Sequence, residues 1–400
     1  MKERLKIGLF IDTFFPMVDG VVMVVDNYAK RLSKFCDVTV FTIKPHGDCD
    51  RKFDYKVVQC KSSKLFNVDY EVPMPRFDSN FKKALKNSNL DIVHIHSPFG
   101  VGAMGVRYAK KHNIPVVATL HSQYKRDFYR STKSKILTNI LTYNIMSVFN
   151  KCDKCYAVND RIAEIFYGYG ANHMPLVQRN GTDMLPVENK EEAIKMVNEK
   201  YQIDENTTVF LFVGRINALK NIFFILNALE KLKHKDFKMI YVGDGQDFDE
   251  LKKRVSKSTI ADKVILTGKI MDRQLLEAIY LRAKLFLFPS NYDASSLVQI
   301  EAASQGTPTV FIQGSATSAT VTDNVNGFIA QPTEEKFAEK IDEILDDEQL
   351  YKKVQEGAVR DLYVTWDDCV KEMYGKYLQA IEDKKLKLNN RLNKKDKKKK

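Results

Sequence analysis

Short apolar runs of strand length, separated by amphipathic stretches of helix length, recur along this chain in two successive series. The first series holds "KIGLFID", "DVTVFTI", "LDIVHIH", "IPVVATLHS" and "KCYAVN". Between them lie "VVMVVDNYAKRLSKF", "DSNFKKALKNSN" and "GVGAMGVRYAKKHN", with "SKILTNILTYNIMSVFNKC" before the last strand. From residue 208 the pattern restarts with "TVFLFVGR", "FKMIYVGDG", "KVILTGKI", "LFLFPS" and "PTVFI", again with helical stretches between. Strands joined through helices of about 10–15 residues pair in parallel, as βαβ units. The expected fold class is therefore α/β, with two doubly wound, Rossmann-like sheets whose strand ends would face each other across a cleft.

The chain's 400 residues exceed what a single core organises. Charged residues 184–200 read as a linker. The expected domains are 1–185, 186–360, a closing helical segment 361–383, and a basic tail 384–400. The tail carries nine lysines and Arg391 against Asp396, a net +9 of the chain's +12, which leaves +3 for residues 1–383. A nearly neutral body argues against a nucleic-acid partner, whose basic charge would be built into the folded surface. The tail reads as disordered; it suits solubility or an anionic membrane surface, at about 1 kcal/mol per basic residue near the lipid.

The start, "MKERLKIGLFIDTF", meets Asp12 after a short apolar run and does not read as a secretory signal. No stretch reaches the roughly 18 unbroken apolar residues of a membrane span. Six cysteines without framework spacing suit a reducing cytoplasm. Cys152 and Cys155 form a lone CxxC, and no metal constellation is expected.

In such sheets ligands bind beyond the carboxyl ends of the strands. Gly20, after "DTFFPMVD", suits either a tight turn or the approach of backbone N–H groups to an anion. "VVATLHS" carries His121 to the same edge, whereas His94 and His96 project from one face of their strand and are assigned to packing or hydrogen bonding. In the second series, "FVGRINALKN" places Arg215 and Lys220 after a strand, where a planar fork and a point charge can converge on one diphosphate. "YVGDGQ" and "LTGK" add glycine turns. In "SNYDASSLVQIEAASQGTP", Ser296 and Gln299 have capping-box spacing, so a helix is expected to start there. The N–H groups around Ser295, Ser296 and Leu297 would form a second anion site. Asp293 then precedes that helix and Glu301 lies more than a turn inside it, a costly place for an acid unless it has a partner.

"FVGRINALKN", "VGDG", "LTGK" and "DASSLVQIEAASQGTP", with "DTFFPMVDGVV", "DIVHIHSPF", "TLHS" and "QRNGTD", resemble in order the motif series of the retaining family 4 glycosyltransferases, over roughly residues 5–380. The resemblance implies the GT-B architecture, with a nucleotide-sugar donor held mainly by the second domain, the acceptor by the first, and a final helix returning to the first. It places Arg215 and Lys220 on the donor diphosphate, Glu301 on the ribose, Gly20 at the loop closing over the phosphates, and His121 by the transferred sugar. Gly268, Lys269 and Ile270 fall opposite the base. Asp293 stands where the family usually has the first Glu of E-x7-E, and "ASS" replaces a glycine-containing turn.

The implied activity is retaining transfer of a hexose from a nucleotide sugar, UDP-linked by expectation, through an oxocarbenium-like state. Neither metal nor cofactor is called for. Sequences with this start resemble diacylglycerol glucosyltransferases and enzymes of capsular or exopolysaccharide assembly. A lipid or lipid-linked glycan acceptor at the inner membrane face follows as an expectation. "HSQYKRDFYRSTKSKILTNILTY" mixes basic and aromatic residues as an interfacial helix would. Two other readings are a non-catalytic GT-B partner subunit, and an epimerase or phosphorylase on the same fold.

Overall fold

A computed structural model describes residues 4–17, 19–45, 51–64 and 71–397. The chain forms two compact units, residues 1–180 with 366–400, and residues 181–365. In unit 1 the strands are β1 (Lys6–Phe10), β2 (Asp37–Ile43), β3 (Lys56–Cys60), β4 (Ser62–Lys64), β5 (Glu71–Pro73), β6 (Ile92–Ile95), β7 (Val116–Leu120), β8 (Lys154–Ala157) and β9 (Leu176–Val177). Its helices are α1 (Gly20–Leu32), α2 (Ser79–Lys86), α3 (Gly100–His112), α4 (Tyr124–Thr132), α5 (Lys135–Phe149) and α6 (Asp160–Gly168). Seven strands form a parallel sheet in the order β3-β2-β1-β6-β7-β8-β9, while β4 and β5 pair separately and antiparallel.

Unit 2 begins with α7 (Lys190–Tyr201) and contains β10 (Thr208–Val213), α8 (Ile222–Glu230), β11 (Phe237–Val242), α9 (Phe248–Val255), β12 (Val264–Gly268), α10 (Arg273–Arg282), β13 (Leu285–Leu287), α11 (Leu297–Ser304), β14 (Thr309–Ile312), β15 (Phe328–Ala330), α12 (Glu334–Asp346) and α13 (Glu348–Leu362). Its six strands run parallel in the order β12-β11-β10-β13-β14-β15. Central strands are apolar along their length: Val209 to Phe212 of β10 are fully buried, because helices cover both faces of a parallel sheet. Side chains cap the helices where local sequence supplies them, as Asp19 does for α1, Asn159 for α6 and Asp272 for α10.

Residues 184–200, expected to be a linker, instead contain α7. Its Val197 is fully buried in the unit 2 core, and Asn198 accepts from Arg282 of α10 at 2.7 Å. Its charges lie on the outer face, so composition alone resembled a linker. Helix α14 (Trp366–Lys397) returns to unit 1. Asp367 pairs with Arg31 of α1 at 3.0 Å, the Tyr377 hydroxyl lies 2.6 Å from His94 Nδ1, and Lys384 pairs with Asp153 at 3.0 Å. The helix continues to Lys397, so the stretch read as a disordered tail is helical through that residue; 398–400 lie outside the described residues. No glycine or proline interrupts 376–397, and its Lys and Leu content sustains the helix.

Each sheet changes direction of winding at one place, between β1 and β6 in unit 1 and between β10 and β13 in unit 2. Chains leaving such a pair diverge and open a crevice at the strand ends.

Candidate active site

In unit 2, three neighbouring strands end on glycine. Gly243, after β11, has φ +136°, and a Cβ there would lie 1.9 Å from the Gly214 carbonyl oxygen. Gly268 closes β12 with φ +69°. The Gly243 N–H donates to the Gly268 carbonyl at 2.9 Å and the Gly214 N–H to Val242 at 3.0 Å. The result is a backbone shelf bare of side chains at the strand ends. Lys269 follows it, exposed, while Ile270 packs against the core.

The loop after β10 is pinned at several points. Asn217 accepts from the Lys220 N–H at 3.2 Å, Asp247 accepts from the Ala218 N–H at 2.7 Å, and Asn221 donates to the Pro289 carbonyl at 2.7 Å. These bonds aim Lys220 across the switch point toward the loop after β13. Its Nζ donates to both carboxylate oxygens of Asp293, at 2.8 and 2.9 Å, and the Ser290 hydroxyl donates to Oδ2 at 2.6 Å. The pair is largely shielded from water, with side chains 16% and 20% exposed. Arg215, in contrast, is exposed and makes no side-chain hydrogen bond or ion pair among the described residues. Sequence reasoning gave Lys220 and Asp293 separate duties; the structure makes them partners.

Helix α11 starts after Ser296, as the spacing suggested, but the capping box does not form. Ser296 makes no side-chain cap, and Gln299 is buried and donates instead to the Thr320 hydroxyl at 2.9 Å. Burial of Gln299 against Thr320 outweighs the local cap, and the Ser296 side chain does not cap the first turn of α11. Glu301 is partly exposed, and its Oε2 accepts from the buried Tyr280 hydroxyl of α10 at 3.0 Å. Partial burial pushes its carboxyl above the ordinary value, with Tyr280 and Arg273 pulling the other way. Tyr280 is the partner that makes an acid tolerable within this apolar helix. Sequence reasoning did not single Tyr280 out.

In unit 1 the switch point is organised by Asp12, two residues past β1. Its carboxylate accepts from the Val101 N–H at 2.6 Å, the Ser97 hydroxyl at 2.6 Å and the Phe99 N–H at 3.1 Å, and so caps α3. Burial nonetheless pushes its pKa up to about 6, against those hydrogen bonds. Sequence reasoning used Asp12 only as a break in an apolar run, and its position at the end of the first strand was the available signal.

His121 follows β7 and is 8% exposed. Its Nε2 lies 3.0 Å from His96 Nδ1, and the His96 ring packs at a tilt against His94 with ring centres 4.0 Å apart. His94 is held between Tyr377 and the Thr119 hydroxyl, 2.7 Å from its Nε2. Burial keeps all three neutral, lowering His94 and His121 to about 3 and His96 well below its usual value. Gly20 opens α1 at an exposed position, beside Asp19, which already accepts the Val22 N–H at 2.8 Å. The Cys152 and Cys155 thiols point at backbone carbonyls of α5 and are not bonded to each other.

Unit 2 thus presents an exposed guanidinium, a lysine paired with a carboxylate, a helix N-terminus and a glycine shelf at its strand ends, and unit 1 by itself presents a neutral imidazole. Residues 18–184 match the family model described as Glycosyltransferase Family 4, and residues 194–361 match that of Glycosyl transferases group 1. An alpha-monoglucosyldiacylglycerol synthase of Acholeplasma laidlawii is 25% identical over 96% of this chain and 100% of its own length. One from Streptococcus pneumoniae is 26% identical over 76% of this chain and 70% of its own length. Among solved structures, the Anabaena protein HepE in complex with UDP aligns with a TM-score of 0.76 at 15% identity, covering 94% of this chain and all of that one.

Proposed function

Because the chain belongs to the GT-B glycosyltransferases that these two models describe, we propose that it transfers a hexose from UDP-hexose, with retention, to a lipid or lipid-linked glycan at the cytoplasmic face of a membrane. The observation that carries this reading is the Lys220–Asp293 pair at the β10/β13 switch point, with Arg215 exposed beside the same strand end. A diphosphate arriving there meets Arg215, Lys220 and the N-terminus of α11, and the charge that builds on it as the sugar leaves is what these groups stabilise. Asp293, released from Lys220 as the phosphate takes its place, turns to the sugar hydroxyls. Glu301, steadied by Tyr280, binds the ribose, and the shelf at Gly268, Lys269 and Ile270 receives the base. His121 steadies the anomeric region. No metal or cofactor is required in this scheme.

The lipid acceptor is supported by the names of the two relatives and by an inversion in α5. In its first half Thr138 and Thr142 face inward, bonded to the carbonyls of Ser134 and Thr138, while Ile136, Ile140 and Tyr143 stand 76%, 51% and 75% exposed. Exposed Lys125, Arg126, Arg130, Lys133 and Lys135 lie on or beside α4 and at the start of α5. An apolar face fringed by cations is the composition of an interfacial helix on anionic lipid. The test is a screen of UDP-, GDP- and ADP-hexoses for hydrolysis or transfer, with diacylglycerol in anionic vesicles as acceptor. Turnover with a UDP-hexose, reduced in Arg215→Ala, supports the assignment. Turnover with none of the donors overturns it and favours the partner-subunit reading.

A further inference from the structure

We infer that His96 is a positioning residue that holds His121 as its Nδ1–H tautomer, so that a neutral hydrogen-bond donor faces the strand-end edge of unit 1. This rests on the proposed role of His121 beside the sugar. It concerns a residue that sequence reasoning assigned to packing or hydrogen bonding.

The His96 Nδ1 and His121 Nε2 atoms are 3.0 Å apart, so one ring must donate and the other accept. The other His96 nitrogen, Nε2, is fully buried and has no hydrogen-bond partner among the described residues. If the His96 proton were on Nε2, a buried N–H would go unmade, a rare and expensive arrangement. An unused acceptor lone pair is the milder fault. The proton therefore belongs on His96 Nδ1, which donates to His121 Nε2.

His121 must then accept at Nε2 and carry its own proton on Nδ1. That nitrogen has no partner among the described residues, yet it is not among the sealed, unsatisfied atoms, so it keeps access to solvent. Protonating His121 to the imidazolium would force Nε2–H to donate and push the His96 proton back onto the orphan Nε2. The same geometry thus opposes a positive charge at His121, in line with burial.

The rings are fixed by their neighbours. His96 packs at a tilt against His94 and stacks on His121, and His94 is tied at both nitrogens, to Tyr377 of α14 and Thr119 of β7. Tyr28 of α1 packs edge-on against both His94 and His96. A donor from Nδ1 suits a sugar hydroxyl or phosphoryl oxygen, both of which accept.

The test is long-range proton–nitrogen NMR of the full chain with 15N-labelled histidine, His121 being assigned by the signals missing from His121→Gln. The expected spectrum shows a pyrrole-type Nδ1 and a pyridine-type Nε2 at His121, unchanged from pH 8 to pH 6. In His96→Phe, which keeps an aromatic ring but removes the donor, His121 should become a tautomer mixture and kcat/KM should fall roughly 10-fold. His96→Asn, whose amide nitrogen occupies the place of Nδ1, should restore both. A proton on Nε2 of His121 in the wild type overturns the inference, as does a folded His96→Phe that keeps the single Nδ1–H tautomer. If the tautomer is as stated but no donor turns over, the transferase reading fails and the His96–His121 relation stands.

Discussion

Arg215 and Lys220 look equivalent in the sequence and are not equivalent in the fold. Arg215 has no side-chain partner among the described residues, so Arg215→Ala should leave the melting temperature within a degree or two while lowering kcat by roughly 10²–10³-fold. Lys220→Ala should lower kcat similarly but also destabilise unit 2, by about 1–3 kcal/mol, because it strands the half-buried Asp293 carboxylate. Denaturant melts of both variants check this, and equal stabilities would contradict the ion pair. The two acids should fail in different ways. Glu301→Gln should raise the donor KM with kcat nearly kept, because a ribose contact is made equally in ground and transition states. Asp293→Asn should mainly lower kcat, because its charge matters most beside the developing positive sugar. Steady-state kinetics on both variants, normalised to folded protein, separate the two patterns.

At the scale of elements, Asp12 joins the end of β1 to the start of α3. Its pKa of about 6 lies above the ordinary 3.8, so the folded chain holds that proton more tightly than the unfolded one. Its contribution to stability is therefore fully present below about pH 4 and is lost as pH rises through about 6, by about 3 kcal/mol. Asp12→Asn should remove that slope, seen as a wild-type-minus-variant difference in unfolding free energy that falls between pH 4 and 6. Helix α5 carries a separate expectation. Ile136→Gln with Ile140→Gln should weaken binding to anionic vesicles while leaving turnover on a detergent-dispersed acceptor unchanged, and cosedimentation measures it.

These elements also mark where the sequence was legible. The parallel strands and most helices stood out because buried strands are apolar throughout and helices keep a 3.6-residue period. Helix α7 was hidden by charge on its outer face. The inversion in α5 was hidden because Thr138 and Thr142 satisfy their hydroxyls on the helix backbone, which periodicity cannot register. Among candidate site residues, motif spacing singled out Arg215, Lys220, Asp293, Glu301 and His121. It could not reveal Tyr280, Ser290, Asp12 or the role of His96, whose partners come from distant elements.

For the whole molecule, the two units should respond differently to acid. Unit 1 buries His94, His96 and His121 in the neutral form, while the single histidine of unit 2, His234, sits at the surface beside Asp346. Groups whose folded pKa is depressed below 6.5 take up protons on unfolding, so unit 1 should lose stability as pH falls from about 6.5 toward 3. The slope approaches about 4 kcal/mol per pH unit, partly offset by Asp12 between pH 6 and 4. Hydrogen exchange at pH 7 and pH 5 should show unit 1 amides losing protection ahead of unit 2; equal loss would contradict the buried neutral cluster. The most direct measurement of the chain's activity is the anomeric configuration of the product made from UDP-α-glucose and diacylglycerol on anionic vesicles, read from the proton coupling at the sugar's first carbon. The small coupling of an α-glucoside, formed by the wild type and lost in Asp293→Asn, is the expected result. A β-glucoside would contradict retention, and no glycolipid from any nucleotide hexose would contradict the transferase itself.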